Sequence, residues 1–385
     1  MIALGMMMSG TSLDGIDCAL VDLRSRGEGM AIDLLDARTF AFETEVAELL
    51  DELVRRERGG LSAVARLHRA LGFAHTDAAE RFLDGRSVDF AAMHGQTIYH
   101  DGAAALTLQI GDPFALRDRI AASVCFDFRS ADCALGGAGA PLVPYVDVML
   151  VADPGEKRVA LNCGGIANVT LLPASAHLDE RHIVAFDTGP GNMLLDAWIA
   201  EASGGRLRFD RNGETAARGS VDASLLAAML DDPYFAQPGP KSTGRERFGE
   251  AFFSRYRAAL RALPLEDGLA TLLALTVESI AGALERYRFD DARILCSGGG
   301  ARNSRLMQAL GERLSHARVE SSDAVGVPAD SKEAVAFAVL GYQTLRERSA
   351  NLPSVTGARR RSVLGAVAPH RLATLLEKIA KEEAR

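Results

Sequence analysis

The sequence predicts an α/β protein of two similar halves, and three observations carry that prediction. Strand-length apolar runs interleave with helical-period segments throughout its 385 residues. Two apolar runs, Ile2 to Met8 and Ile16 to Leu23, flank a tight polar turn running from Ser9 to Gly15. About 150 residues later the plan returns, with Arg158 to Cys163 and Ile166 to Leu172 flanking Gly164 and Gly165.

The elements follow in order. The first two runs form a hairpin whose turn offers backbone N–H groups, hydroxyls and a carboxylate. A third strand is predicted near Ile32 to Phe42, then helices over Val46 to Leu83, where apolar residues recur at helical spacing. Val88 to Met93 is a strand running into His94, Gly95, Gln96 and Thr97, and Leu106 to Ile110 is another, ending in Gly111, Asp112 and Pro113. Val124 to Asp127 leads to Arg129 and Asp132. A glycine-rich, proline-stopped stretch from Gly136 to Pro144 then marks a domain crossing near residue 145. In the second half Ile183 to Phe186 is a strand ending at Asp187, with a helix from Met193. A long apolar helix lies around Ala270 to Arg286, and the strand Arg293 to Cys296 empties into Ser297, three glycines, Ala301, Arg302 and Asn303. Lys332 and Glu333 open a helix over Ala334 to Leu345. Hairpins at the start of each half mean that each sheet mixes antiparallel and parallel pairing.

Composition narrows the function. At 48% apolar residues the chain buries a full core, and its length suits two domains. The net charge is −8 and the basic residues are scattered among acids, so the footprint of a nucleic-acid binder is missing. Arg359 to Arg361 is the one dense basic cluster, either a solvated loop or a contact for an acidic partner. The five cysteines are an odd number without C-x-x-C spacing and read as reduced core residues. The most apolar run, Leu269 to Leu284, is interrupted by Glu278, and the start lacks the marks of a signal peptide, so a soluble cytoplasmic protein without membrane or nucleic-acid partners is expected.

The motifs point to phosphate and sugar chemistry. Gly10 and Gly15 permit positive φ while Thr11, Ser12 and backbone amides line an anion site, and the second turn at Gly164 and Gly165 strengthens that reading over an ordinary hairpin turn. Asp14 and Asp17 are candidates to orient hydrated Mg²⁺, an ion that prefers hard oxygen ligands. Asp187 ends a buried-type strand before a Gly-Pro-Gly loop; it is a general base projecting from a sheet edge, or a turn aspartate bonding its own loop amides. Gly298, Gly299 and Gly300 let backbone approach a ligand closely, with Asn303 placed to bond a base or ribose or to start the next helix. His94, Gln96, Thr97, Arg129 and Asp132 offer donors and acceptors for a polar substrate such as a sugar. Glu333 gains from the helix dipole whatever else it does. Gly239 to Gly244 lacks the spacing of a Walker A loop and reads as a loop near substrate or nucleotide.

Ten collinear blocks give the chain a resemblance to the anhydro-N-acetylmuramic acid kinase family. They are Met8 to Asp17, His94 to Thr97, Gln109 to Pro113, Asp127 to Pro144, Asn162 to Asn168, Phe186 to Asn192, Pro233 to Phe235 with Lys241 to Glu246, Ser297 to Asn303, Lys332 to Leu340 and Asn351 to Ala358. The resemblance implies a two-lobed actin/hexokinase/heat-shock-70-like ATPase fold, with duplicated ribonuclease-H-like sheets and flanking helices around a central cleft. The lobes would be 1–145 plus 345–385 and 146–344. Gly10, Thr11, Ser12, Leu13, Asp14, Gly15, Ile16 and Asp17 would be the first phosphate loop, Gly164, Gly165 and Asn168 the second, and Ser297 to Asn303, through Gly298, Gly299, Gly300 and Asn303, the adenosine loop. It further implies ATP and Mg²⁺ as cofactors, 1,6-anhydro-N-acetylmuramic acid and water as substrates, and a homodimer. Asp187 would be the catalytic base, and Gln96, Thr97, Arg129, Asp132 and Glu333 the sugar contacts. Two departures, Ala138 in place of the family's usual glutamine and the segment Tyr145 to Asp147, put side-chain contacts near the crossing in doubt. The competing readings are another kinase on this fold, a sugar sensor, and a filament-forming relative.

Overall fold

The computed structural model describes residues 1–8, 15–26, 29–55, 59–174 and 179–384. Its strands are β1 (Ile2–Met8), β2 (Gly15–Arg26), β3 (Gly29–Ala41), β4 (Phe90–Met93), β5 (Gln96–Asp101), β6 (Leu106–Ile110), β7 (Ser123–Phe126), β8 (Arg158–Cys163), β9 (Ile166–Leu172), β10 (Val184–Pro190), β11 (Arg293–Ser297), β12 (Arg318–Ser321) and β13 (Ala366–Ala368). The chain divides into two compact units, Met1–Leu150 with Ser331–Arg385, and Val151–Asp330.

The first unit holds a sheet of order β13-β7-β4-β1-β2-β3. β1, β2 and β3 pair antiparallel, while β1, β4 and β7 pair parallel. The second unit repeats the scheme as β10-β9-β8-β11-β12, with β8, β9 and β10 antiparallel and β8, β11 and β12 parallel. In both units the first strand lies between a hairpin partner and a parallel partner. This is the ribonuclease-H-like arrangement, present twice, and the mixed pairing expected of each half is observed.

Register makes the duplication residue-specific. Met7 of β1 faces Asp17 of β2, which faces Thr39 of β3. Asn162 of β8 faces Asn168 of β9, which faces Asp187 of β10. Asp17 and Asn168 are thus equivalent positions, each third in its strand after the turn.

The helix Lys332–Leu345 belongs to the first unit, whereas the sequence reading assigned 332–344 to the second lobe. Close packing explains the correction. A Cβ on Gly5 would lie 1.9 Å from the Ala334 carbonyl oxygen, and one on Gly341 would lie 2.7 Å from the Ala92 Cβ, so the small-residue face of this helix rests directly on β1 and β4. The chain leaves the first unit at Leu150, close to the expected crossing near 145.

In the second unit the helix Leu265–Arg286 is long and apolar enough to cross a membrane by length and composition, Glu278 notwithstanding. Most of it is instead buried in the core, where Leu269, Leu275, Ile280 and Leu284 are inaccessible to solvent. Each such leucine contributes about 2 kcal/mol relative to exposure.

Candidate active site

In the second unit a polar row crosses the sheet. Ser297, Asn162, Asn168 and Asp187 stand opposite one another on β11, β8, β9 and β10, and residues directly opposite share a face. Ser297 is buried and donates to the Leu161 carbonyl at 3.2 Å, while Asn162, Asn168 and Asp187 are half-buried. The register shifts between Asp187 and Gly189, a bulge that bends the strand where the carboxylate projects.

Asp187 is held from several sides. Its N–H donates to the Lys241 carbonyl at 3.0 Å, and its own carbonyl accepts from the Tyr234 hydroxyl at 2.7 Å. Oδ2 accepts from the Thr243 N–H at 2.8 Å. Burial pushes the Asp187 carboxyl up to about 6, the Thr243 N–H opposes that shift, Glu246 adds to it and Lys241 opposes it. The carboxylate is therefore a stronger base than an ordinary aspartate, yet mostly ionised at neutral pH. Lys241 is itself drawn down to about 8, first by burial and then by Arg286. Its Nζ donates to the Tyr234 carbonyl at 2.8 Å and sits 4.2 Å from that ring's centre.

The turn Gly164 to Gly165 is pinned from behind. Gly164 accepts from the Asn192 N–H at 2.8 Å, and Gly165 from Gly191 at 2.9 Å and Met193 at 3.2 Å. A trans peptide directs the Gly165 N–H opposite to the Gly164 carbonyl, away from that segment. In the triple-glycine loop, a Cβ on Gly298 (φ +77°) would lie 2.5 Å from Asn162 Oδ1, and one on Gly300 would lie 2.6 Å from the Cys163 Cβ. Gly299 by contrast has nothing nearer than Asn192 Nδ2 at 3.7 Å, which leaves its surface open. Asn303 caps the helix Ser304–Arg313, its Oδ1 accepting from the Leu306 N–H at 3.0 Å.

The first unit gathers a second group. Gly10, Thr11, Ser12, Leu13 and Asp14 lie outside the described residues. Gly15 leaves no room for a side chain, since a Cβ would lie 2.5 Å from the Phe40 carbonyl oxygen, and Ile16 points into the core. Asp17 accepts from the Thr39 hydroxyl at 2.6 Å. His94 is buried; its Nδ1 lies 2.7 Å from the Gly95 carbonyl and its Nε2 accepts from Arg129 Nε at 3.0 Å. Burial and the Arg129 charge hold the His94 imidazole well below its usual range. Arg129 also donates through Nη1 to the Gly139 carbonyl at 2.9 Å. Burial raises the Glu333 carboxyl, Lys332 opposes that shift and Asp17 adds to it; Arg129 pulls against it as well. Lys332 itself is buried and donates to Asp147 at 3.0 Å.

Gln96 donates to the Thr97 carbonyl at 2.9 Å, while its Oε1 is buried without a partner among the described residues. The Thr97 hydroxyl accepts from Gln109 Nε2 at 3.1 Å. Asp132 differs from the sugar contact that the resemblance implies: it is fully buried, accepting from Gly139 N–H at 2.9 Å, Asn351 Nδ2 at 2.7 Å and the Thr356 hydroxyl at 2.8 Å. It fastens the 136–139 loop to the 351–358 segment.

The family profile for anhydro-N-acetylmuramic acid kinase matches residues 1–370. The chain belongs to that family. The anhydro-N-acetylmuramic acid kinase of Streptomyces coelicolor is 40% identical over 95% of this chain and 93% of its own length. That of Gloeobacter violaceus is 40% identical over 94% and 97%, and that of Caldanaerobacter subterraneus 36% identical over 94% and 95%. A solved ROK family glucokinase from Streptomyces griseus, in complex with glucose and AMPPNP, is similar at 12% identity and TM-score 0.40 over 89% of this chain and 100% of that one. The fold is established by the order and pairing of the two sheets.

For this anhydro-N-acetylmuramic acid kinase family member, the second unit brings Asn168, Asp187 and the turn at Gly164 together, and the first brings Arg129, Glu333 and Asp17 into electrostatic reach. His94, read with the polar substrate contacts, Lys241 and Thr243, which lie in the loop read as near substrate or nucleotide, and Tyr234, which was not singled out, hold these groups. The signal for Tyr234 lay in the family block Pro233 to Phe235. The divergent segment Tyr145 to Asp147 finds partners of its own, Gln343 donating to the Tyr145 hydroxyl at 2.6 Å and Lys332 to Asp147.

Proposed function

We propose that this chain uses ATP and water to convert 1,6-anhydro-N-acetylmuramic acid to N-acetylmuramic acid 6-phosphate. The observation that carries the reading is Asp187, a half-buried carboxylate raised to about 6 and held by the Thr243 amide. In this scheme Asp187 takes a proton from water, and the water oxygen bonds to the anomeric carbon. The bond from that carbon to the bridging 6-oxygen breaks, and the 6-oxygen bonds to the γ-phosphorus as ADP departs. Passing the oxygen directly to phosphorus avoids a free alkoxide, and an aspartate near 6 is ionised at pH 7 while remaining a competent base.

Arg129 is the partner for the sugar's lactyl carboxylate, its guanidinium steered by His94 and Gly139. The Gly165 amide would donate to a phosphate oxygen of ATP. Asp17 would offer Mg²⁺ a hard oxygen donor of the kind that ion prefers. Bound there, Mg²⁺ would neutralise charge on the transferring phosphoryl group. The enzyme would work as a cytoplasmic homodimer returning cell-wall sugar to metabolism.

The test is turnover of Asp187→Asn. Sugar phosphorylation should fall by at least about 1,000-fold while ATP and sugar still bind, a loss in the range of general-base removal. Near-normal turnover would remove Asp187 from the base role.

A further inference from the structure

We propose that the Thr243 hydroxyl is the second anchor of the water that Asp187 activates; this rests on the reading of Asp187 as base. Three observations converge on it.

The loop that carries Thr243 is fixed at several points. Gly239 N–H donates to the Tyr287 hydroxyl at 2.8 Å, and that hydroxyl donates to the Gly239 carbonyl at 3.1 Å. A Cβ on Gly239 would lie 2.7 Å from Phe186 Cδ1, so the loop lies flat on the strand that carries the base. Lys241 accepts from the Asp187 N–H and donates to Tyr234, whose hydroxyl returns to the Asp187 carbonyl. Thr243 therefore presents its side chain from a determined backbone.

The carboxylate is used on one side only. Oδ2 takes the Thr243 N–H at 2.8 Å, and among the described residues no donor reaches Oδ1. Oδ1 is the oxygen left to accept a proton.

Thr243 Oγ1 is buried and has no hydrogen-bond partner among the described residues. A buried hydroxyl without a partner is costly, and native proteins keep few of them without a ligand or water to meet them. Covalent geometry holds this oxygen within about 4 Å of the amide that grips Asp187. A water between the two groups donates one hydrogen to Asp187 Oδ1 and the other to Thr243 Oγ1, which leaves a lone pair directed at the anomeric carbon. In the reaction only the first of those hydrogens moves, so Thr243 neither gains nor loses a proton. A β-branched residue suits the task because its χ1 is stiff.

The experiment compares Thr243→Val, which keeps the amide and the shape but removes the hydroxyl, with Thr243→Ser, which keeps the hydroxyl. We expect Thr243→Val to lower kcat by about 100-fold, the scale of a misplaced reactant, with KM for sugar and for ATP within about twofold of the parent. Thr243→Ser should restore kcat to within about threefold, and the acid limb of kcat/KM should stay in place in both, because the amide on Oδ2 remains. Full kcat in Thr243→Val overturns the proposal, as does a raised sugar KM at unchanged kcat, which would make the hydroxyl a sugar contact. Asp187→Asn separates the two ideas. If it is inactive while Thr243→Val is unimpaired, only the Thr243 assignment fails; if Asp187→Asn turns over normally, the base reading fails first.

Discussion

Arg129 donates through Nε to His94 Nε2 at 3.0 Å, and the other imidazole nitrogen lies 2.7 Å from the Gly95 carbonyl. Both bonds exist together only when His94 is neutral and carries its proton on Nδ1. Burial and the guanidinium charge keep it so by lowering its pKa. A histidine in this setting aims an arginine.

His94→Ala should therefore leave Arg129 misdirected. The expected result is a rise of about tenfold in KM for the carboxylate-bearing sugar with KM for ATP unchanged, the size of one lost orienting hydrogen bond to a charged group. Steady-state kinetics with each substrate varied in turn checks it, and an equal rise in both KM values would point to general loosening of the unit.

The pH dependence follows from Asp187. Its pKa of about 6 predicts that kcat/KM falls as pH drops through 6, since protonation removes the base. Glu246 raises that pKa and Lys241 lowers it. Glu246→Gln should move the acid limb to lower pH and Lys241→Met to higher pH, each by a few tenths of a unit. Shifts of the opposite sign would show that a different group controls the limb.

Asp132 predicts a stability effect. Asp132→Ala strands three buried donors, Gly139 N–H, Asn351 Nδ2 and the Thr356 hydroxyl, and should cost about 3–5 kcal/mol in urea unfolding. Gly139 also accepts from Arg129, so the folded fraction of the variant should bind sugar more weakly. A loss below about 1 kcal/mol would mean that these donors find other partners.

Much of this was legible in the residues, for physical reasons. The strand-turn-strand repeat was readable because hairpins are local, and the sheets assembled around them with the anticipated mixed pairing. Asp187 stood out because a carboxylate at a strand end before glycines has few purposes. Its basicity was not legible, because Tyr234, Lys241, Thr243 and Glu246 reach it from 47 or more residues away. The placement of the helix Lys332–Leu345 differs for a similar reason: its small-residue face has meaning only against Gly5 and Ala92, far away in the chain. Asp132 looked like a sugar contact until Asn351 and Thr356 supplied its partners across more than 200 residues. Asn303, offered for base or ribose, shows the helix cap that was the alternative from the start.

In this reaction water attacks carbon while the sugar's own oxygen would take the phosphoryl group. Mass spectrometry of the purified protein with MgATP and 1,6-anhydro-N-acetylmuramic acid in ¹⁸O-water tests it, sampled early because the free anomeric oxygen slowly exchanges. The expected product is N-acetylmuramic acid 6-phosphate carrying one ¹⁸O at the anomeric position and none in the phosphate. A phosphorylated sugar without label at the anomeric carbon, or anhydro sugar recovered unchanged while ATP is consumed, would contradict it.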